Sequence, residues 1–391
     1  MLSSRVPRDA APNPWSNLLA ERRASGARLI DLTEANPTRV GLSGVGADEL
    51  VALATPEAAR YEPDPRGAVA ARAAIAEYYS ARGLRARADD ILLTAGTSEA
   101  YAHLFRMLAD PGETFLVPAP SYPLFEPLAA LEGVVLRPYR LAWDGAWHLD
   151  LGSLEAAMGA DVRGMIVVQP NHPTGSCLTV AELAAAEALC ERHGAALVSD
   201  EVFGDFVWKA GGALPSLLGE RRVPTFVLSG LSKVCGMPQL KLGWIALAGA
   251  ALARAEAMRG LEWIADLFLS VGTPVQHALP RLLAGRGAWQ ARVRDRIATN
   301  LERLRDAAAR QPAIELRAGG GGWVAVLRLP QARSEDWALE LLRHDVVAHP
   351  GHFYDFEDEA HLVVSLIVPP ADFSAGIERV ESLADELGGR R

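Results

Sequence analysis

Six short, nearly uncharged runs recur through the middle of the chain, and they constrain the fold more than anything else in the sequence. They are ILLT at 91–94, TFLV at 114–117, MIVVQ at 165–169, AALVSD at 195–200, TFVLS at 225–229 and LGWIALAG at 242–249. Amphipathic stretches such as 98–109 and 179–193 lie between most of them. A half-exposed strand alternates polar and apolar residues, whereas a strand covered on both faces reads apolar throughout. The pattern therefore predicts an α/β fold: a large domain with a mostly parallel sheet flanked by helices. The ends read differently. A helix over 15–25 precedes the loop TEANPTRVGL, and a long Arg-rich helix beyond about 285 leads to strands near 323–328 and 361–367 and a closing helix at 371–387. Residues 1–49 and 281–391 are thus expected to build a smaller α+β domain, with 50–280 forming the large one. At 391 residues the chain is too long for a single compact core, which agrees with this division.

The charge balance narrows the partners. With 39 Lys+Arg against 48 Asp+Glu, no basic face is expected to displace counterions from nucleic acid or an anionic membrane. Cys177, Cys190 and Cys235 stand singly, with neither a paired framework nor metal-ligand spacing. This pattern fits a reduced cytoplasmic protein without a bound metal. The N-terminal residues contain no apolar targeting core, and no run approaches the ~18 apolar residues of a membrane span.

In open α/β sheets ligands bind beyond the carboxyl ends of the strands, and the unusual residues of this sequence fall there. Ala95-Gly96-Thr97-Ser98 follows the first run and opens a helix, where glycine, hydroxyls and free backbone N–H groups can receive a phosphate. An ordinary helix cap would look the same. Tyr122 sits in the proline-bracketed loop PAPSYPLFE and could stack on a planar ring, or simply fill the core. Asp200 ends an apolar strand, where burial raises a carboxylate's pKa unless a cation or donors compensate. Lys233 follows TFVLS in a small-residue context, with Lys241 eight residues on. A lysine at a buried strand end loses proton affinity and becomes nucleophilic. Singly, each has an ordinary structural reading; their order on successive strands suits a phosphorylated pyridinium aldehyde.

These segments together resemble the class I/II aminotransferases, the fold-type I pyridoxal-phosphate enzymes, from TEANPT near 33 to the closing helix. AGTSEA is similar to the family's phosphate loop, PNHPTG to its Asn-Asn-Pro-Thr-Gly turn, and Asp200-Glu201-Val202-Phe203 to its Asp-Glu-x-Tyr. SGLSKVCGMPQLKLGW is similar to its Schiff-base segment, and HPGHFYDF to its C-terminal Pro-Gly-x-x-Phe. The resemblance implies pyridoxal 5'-phosphate linked to Lys233, a proton-transfer role for that lysine, and Asp200 paired with the ring nitrogen. It implies Tyr122 stacked on the ring, and Gly96, Thr97, Ser98, Ser229 and Lys241 around the phosphate. YEPDPRG implies that Tyr61 reaches the phosphate of a partner subunit, in a homodimer with composite sites. The implied reaction moves an amino group from an amino acid or amine to a 2-oxo acid. A carbon–sulfur lyase on the same fold, and a cofactor-binding protein without turnover, are the competing readings.

Four positions depart from the family pattern. His172 replaces the asparagine before Pro-Thr-Gly, Phe203 replaces a tyrosine, and Lys241 replaces an arginine. Val363, in Val363-Val364-Ser365, stands where the resemblance places the arginine that clamps the substrate carboxylate. Arg39, and after it Arg66, are the candidates to replace that clamp, with a surface salt bridge as the alternative reading of either, and Asn36 is a further substrate-binding candidate.

Overall fold

The computed structural model describes residues 3, 5–6, 11–208, 216–269, 271–330, 333–356 and 360–388. The short β1 (Ile30–Asp31) precedes eight strands that form one sheet: β2 (Ile91–Thr94), β3 (Thr114–Ala119), β4 (Val135–Trp143), β5 (Trp147–Leu149), β6 (Val162–Val168), β7 (Ala196–Asp200), β8 (Thr225–Gly230) and β9 (Gly243–Ala248). Their order is β2-β9-β8-β7-β6-β3-β4-β5. Neighbours from β8 through β4 run parallel, while β9 is antiparallel to both β8 and β2 and β5 to β4. The predicted α/β architecture is the observed one, and all six apolar runs are strands of this sheet.

Local chemistry sets the helices between them. The helix Thr97–Leu108 buries Ala100, Tyr101, Leu104 and Phe105 against the sheet, a helical repeat of its apolar face. The helix Val180–His193 begins with a capping box, in which Thr179 Oγ1 accepts from Glu182 N and Glu182 Oε2 from Thr179 N. It ends at Gly194, whose φ of 68° suits glycine.

Three features differ from expectation. The hairpin β4–β5 lies near the sheet edge, where Arg137, Pro138 and Arg140 interrupt any apolar run. The helix Ala251–Phe268 is alanine- and charge-rich, and it also exposes Leu252, Trp263, Leu267 and Phe268. The long C-terminal helix starts at Thr273 rather than near 285, runs to Arg310 and contains Pro280. Burial of Leu279, Leu282 and Leu283 holds that first stretch helical despite the proline. The expected division at 280–281 falls inside this helix.

The remaining strands are β10 (Glu315–Leu316), β11 (Val324–Leu329), β12 (Val346–Val347), β13 (His349–Pro350) and β14 (Ala360–Ser365). A four-stranded antiparallel sheet has the order β10-β11-β14-β13, and β1 pairs in parallel with β12. Trp337, Phe373, Ile297 and Leu32 are among the side chains of the core beneath them.

Gly319-Gly320-Gly321-Gly322 links β10 to β11 within the small sheet and packs against the turn after β6. Gly320 N and Gly321 N donate to the Gly175 carbonyl at 2.7 and 3.1 Å, and Trp208 N donates to the Gly320 carbonyl at 2.7 Å. A Cβ on Gly319 would stand 2.2 Å from the Gly175 carbonyl carbon. The run is therefore a backbone strap laid directly on the PNHPTG turn, with no room for side chains at the contact. Gly319→Ala is expected to lower unfolding stability by about 1–3 kcal/mol, the usual cost of overpacking. A urea midpoint that does not move would contradict this close approach.

Candidate active site

The carboxyl ends of β3, β6, β7 and β8, together with the turn after β2, surround a cavity of about 360 Å³. Such a crevice is the usual binding place of an open α/β sheet. Gly96, Thr97, Tyr122, His172, Asp200, Phe203 and Lys233 line it.

Lys233 follows β8 on the short helix Leu231–Val234. Its Nζ lies 4.7 Å from the Trp323 ring centre and 5.4 Å from that of Phe203. Burial among these rings pulls its pKa down to about 8, opposed by the charge of Asp200. The amine is therefore far closer to its free-base form at neutral pH than an exposed lysine.

Asp200 ends β7, buried. Its Oδ1 accepts from Val202 N at 3.1 Å and its Oδ2 from the Tyr101 hydroxyl at 3.0 Å. Burial raises its pKa to about 6, while these two donors and Lys233 draw it back. The carboxylate is thus oriented and still lacks the full counter-charge that would return it to the ordinary range.

Gly96, which also lines the cavity, opens the helix Thr97–Leu108. A Cβ there would lie 3.5 Å from Lys241 Nζ, so the cation sits over this helix N-terminus. Lys241 adopts a left-handed φ of 51°, a conformation that carries its side chain back toward the loop. Ser229 Oγ is buried with no hydrogen-bond partner. A backbone N-terminus, an ammonium and an orphaned hydroxyl make a fitting cradle for a phosphate.

Tyr122 and Phe203 flank His172. The His172 ring stacks on Phe203 at 6.0 Å and 18° and meets Tyr122 and Tyr354 edge-on at 5.6 and 5.5 Å. Burial, with the charge of Lys233, lowers its pKa to about 3, so it is a neutral imidazole at neutral pH. It can offer an N–H to an acceptor in the cavity without carrying a charge.

Other candidates lie elsewhere. Arg39 is largely exposed and reaches Glu34 at 3.4 Å, and Arg66 pairs with Glu262 at 3.2 Å. Asn36 Oδ1 accepts from Thr38 N and Oγ1 within its own turn. None of the three is among the residues that line the cavity, although Ala35, next to Asn36, is. Ser98 is exposed in the first helical turn, outside the lining. Tyr61 is 74% exposed and also stands apart from this protomer's cavity. Val363 leaves no hole: on β14 it is buried with Val324, Val326, Tyr354 and Phe356.

Three aromatic groups escaped sequence reasoning. Trp323 follows the glycine strap, and the strap's docking is what carries it over Lys233. Tyr354 donates to or accepts from His349 Nδ1 at 2.9 Å behind His172. Tyr101 holds Asp200, and only its spacing of four from Thr97 hinted that it faces the sheet.

A lysine, a carboxylate and an anion cradle around one cleft define a class: α/β proteins built to hold a phosphorylated aromatic cofactor. The sequence model of the aminotransferase class I and II family matches residues 24–379, and the chain belongs to that family. It is 31% identical to nicotianamine aminotransferase 1 of Oryza sativa subsp. japonica over 223 residues, 56% of this chain and 44% of the relative. It is 28% identical to the glutamate-pyruvate aminotransferase of Escherichia coli K12 over 270 residues, 66% of this chain and 64% of that one. These matches span about half to two-thirds of the relatives' length. The alanine aminotransferase of Pyrococcus furiosus shares the fold, with a TM-score of 0.89 and 22% identity over 99% of this chain and 100% of that one. Pyridoxal phosphate is the cofactor of this family. The orphaned Ser229 hydroxyl, the Lys241–Gly96 cradle and the Asp200–Lys233 pair fit it.

Proposed function

We propose that this chain is a pyridoxal-phosphate-dependent aminotransferase that takes an amino group from an amino acid or amine and passes it to a 2-oxo acid. The observation that carries this reading is Lys233, a lysine with lowered proton affinity facing the buried carboxylate of Asp200 across one cavity. When bound, the cofactor supplies an electron sink that stabilises negative charge developing at the substrate carbon.

The residues divide the work. Gly96, Thr97, Ser229 and Lys241 hold the phosphate. Asp200 would face the ring nitrogen and keep a proton there, and Tyr122 would cover the ring. Neutral His172 offers its N–H toward the ring's oxygen substituent in place of the two hydrogen-bonding groups that the family pattern has at His172 and Phe203. Lys233 Nζ would take the proton from the substrate carbon as a general base and hold it for return as a general acid. The apolar surroundings of Trp323 and Phe203 exclude water from that transfer.

Exposed Trp263, Leu267, Phe268 and Leu269 cluster at the end of one helix, and Tyr61 is also bare. Such a patch supports a homodimer in which Tyr61 completes the partner's phosphate site. Cys190 and Cys235 are buried and form no disulfide, which supports a reducing cytoplasmic location. Among the described residues no helix is long and apolar enough to cross a membrane.

The test is a half-reaction. Mixing the loaded enzyme with candidate amino acids and amines should convert the cofactor's visible band to that of pyridoxamine phosphate, and a 2-oxo acid should restore it. Release of pyruvate from a thioether amino acid, independent of any 2-oxo acid, would instead establish a lyase.

A further inference from the structure

The helix Thr97–Leu108 does two things at once. Gly96 at its cap and Thr97 line the cavity, and Tyr101, one turn later, reaches Asp200, which lines it too. The Tyr101 ring is 3% exposed and wedged by Phe125 at 5.1 Å and Phe105 at 6.1 Å. Its hydroxyl has one described partner, Asp200 Oδ2, at 3.0 Å. The other carboxylate oxygen takes a backbone N–H, so Tyr101 is the side-chain donor to this group.

We propose that Tyr101 is a positioning residue: through its hydrogen bond to Asp200 it fixes the carboxylate and holds the shared proton on the cofactor's ring nitrogen. This rests on the pyridoxal phosphate reading above. A donor to a carboxylate stabilises the anion, so the proton shared between Asp200 and a basic ring nitrogen stays on the nitrogen. Without the phenol, Asp200 competes harder for that proton, and the ring becomes a weaker electron sink. Burial already favours protonated Asp200, which makes the balance sensitive to one donor. The titratable groups facing Asp200 are Tyr101 from the helix, Glu201 beside it, Lys233 from the segment after β8 and Tyr122 from the loop after β3. Among these Tyr101 and Val202 N make the hydrogen bonds to it. Thr97 of the cradle and Tyr101 ride on one helix, so this part of the phosphate site and the donor to Asp200 are held in fixed relation to each other.

The experiment compares wild-type holoenzyme with Tyr101→Phe, using pyridoxal phosphate labelled with nitrogen-15 in the ring. The control is Tyr139→Phe, whose buried hydroxyl donates to the Ile166 carbonyl at 2.8 Å and makes no hydrogen bond to Asp200. Tyr101→Phe should move the ring-nitrogen resonance toward its unprotonated position and lower kcat about tenfold to a hundredfold, as for loss of a hydrogen bond to a charged group. KM should change by no more than about twofold, since Tyr101 touches no substrate. Tyr139→Phe should leave the resonance where it is. If Tyr101→Phe does not fold, 3-fluorotyrosine at position 101 strengthens the same donor and should drive the signal and rate the other way. A resonance unmoved by either change overturns the proposal. Failure of the wild-type protein to bind pyridoxal phosphate overturns the cofactor reading and this inference with it.

Discussion

Lys233→Ala is expected to lower kcat by about 10³–10⁴-fold or more, with the cofactor still bound. Two contributions vanish together: the nucleophilic amine that binds the cofactor covalently, and the base that carries the proton at the substrate carbon. Neither has a substitute. Lys241, the other described lysine near the cavity, stands over Gly96 at the phosphate end, and neutral His172 with its pKa near 3 is a poor base. Binding should survive because the cradle of Gly96, Thr97, Ser229 and Lys241 does not involve Lys233. Steady-state amino transfer and cofactor retention after gel filtration give the two readouts. Activity within tenfold of wild type would remove Lys233 from the reaction.

Asp200→Ala is the second large effect, with kcat expected to fall about 10²–10³-fold through loss of an electrostatic partner of the reacting ring. A companion effect appears in the apo-protein. The Asp200 carboxyl has its pKa raised from 3.8 to about 6 by burial. An acid that binds protons more tightly when folded stabilises the fold below its unfolded pKa, and that contribution is lost as pH rises through the folded value. The wild-type apo-protein should therefore lose on the order of 3 kcal/mol from this group between about pH 4 and pH 6. Asp200→Ala should lack that component. Denaturant unfolding of both apo-proteins across this range measures it; parallel pH profiles would show that Asp200 is not buried as described.

The sheet was legible because its strands are covered on both faces, so burial wrote itself into ILLT, TFLV, MIVVQ, AALVSD, TFVLS and LGWIALAG as continuous apolar runs. β4 was not, because an edge position tolerates Arg137, Pro138 and Arg140. The start of the long helix was hidden by Pro280, whose cost is offset by tertiary packing that no local pattern records. Within the site, residues fixed to strand ends were readable, since Asp200 and Lys233 interrupt apolar runs where a charge is costly. Tyr101 and Trp323 were not, because a buried aromatic at helical spacing or after a glycine run looks like core until its polar atom finds a partner. Arg39 and Arg66 show the converse. An arginine near a motif carries no sign of where its guanidinium points, and both turn to surface carboxylates. The glycine strap lay between these cases, visible as a run but meaningful only when Gly175 is seen against it.

The chain contains three lysines, Lys209, Lys233 and Lys241, which makes the central assignment unusually direct to test. Borohydride reduction of the loaded enzyme fixes the cofactor to the amine that holds it, and peptide mass mapping then names that residue. The account predicts one cofactor per chain on Lys233. Label on Lys241 or Lys209, or protein that binds pyridoxal phosphate and takes up none on reduction, would contradict it.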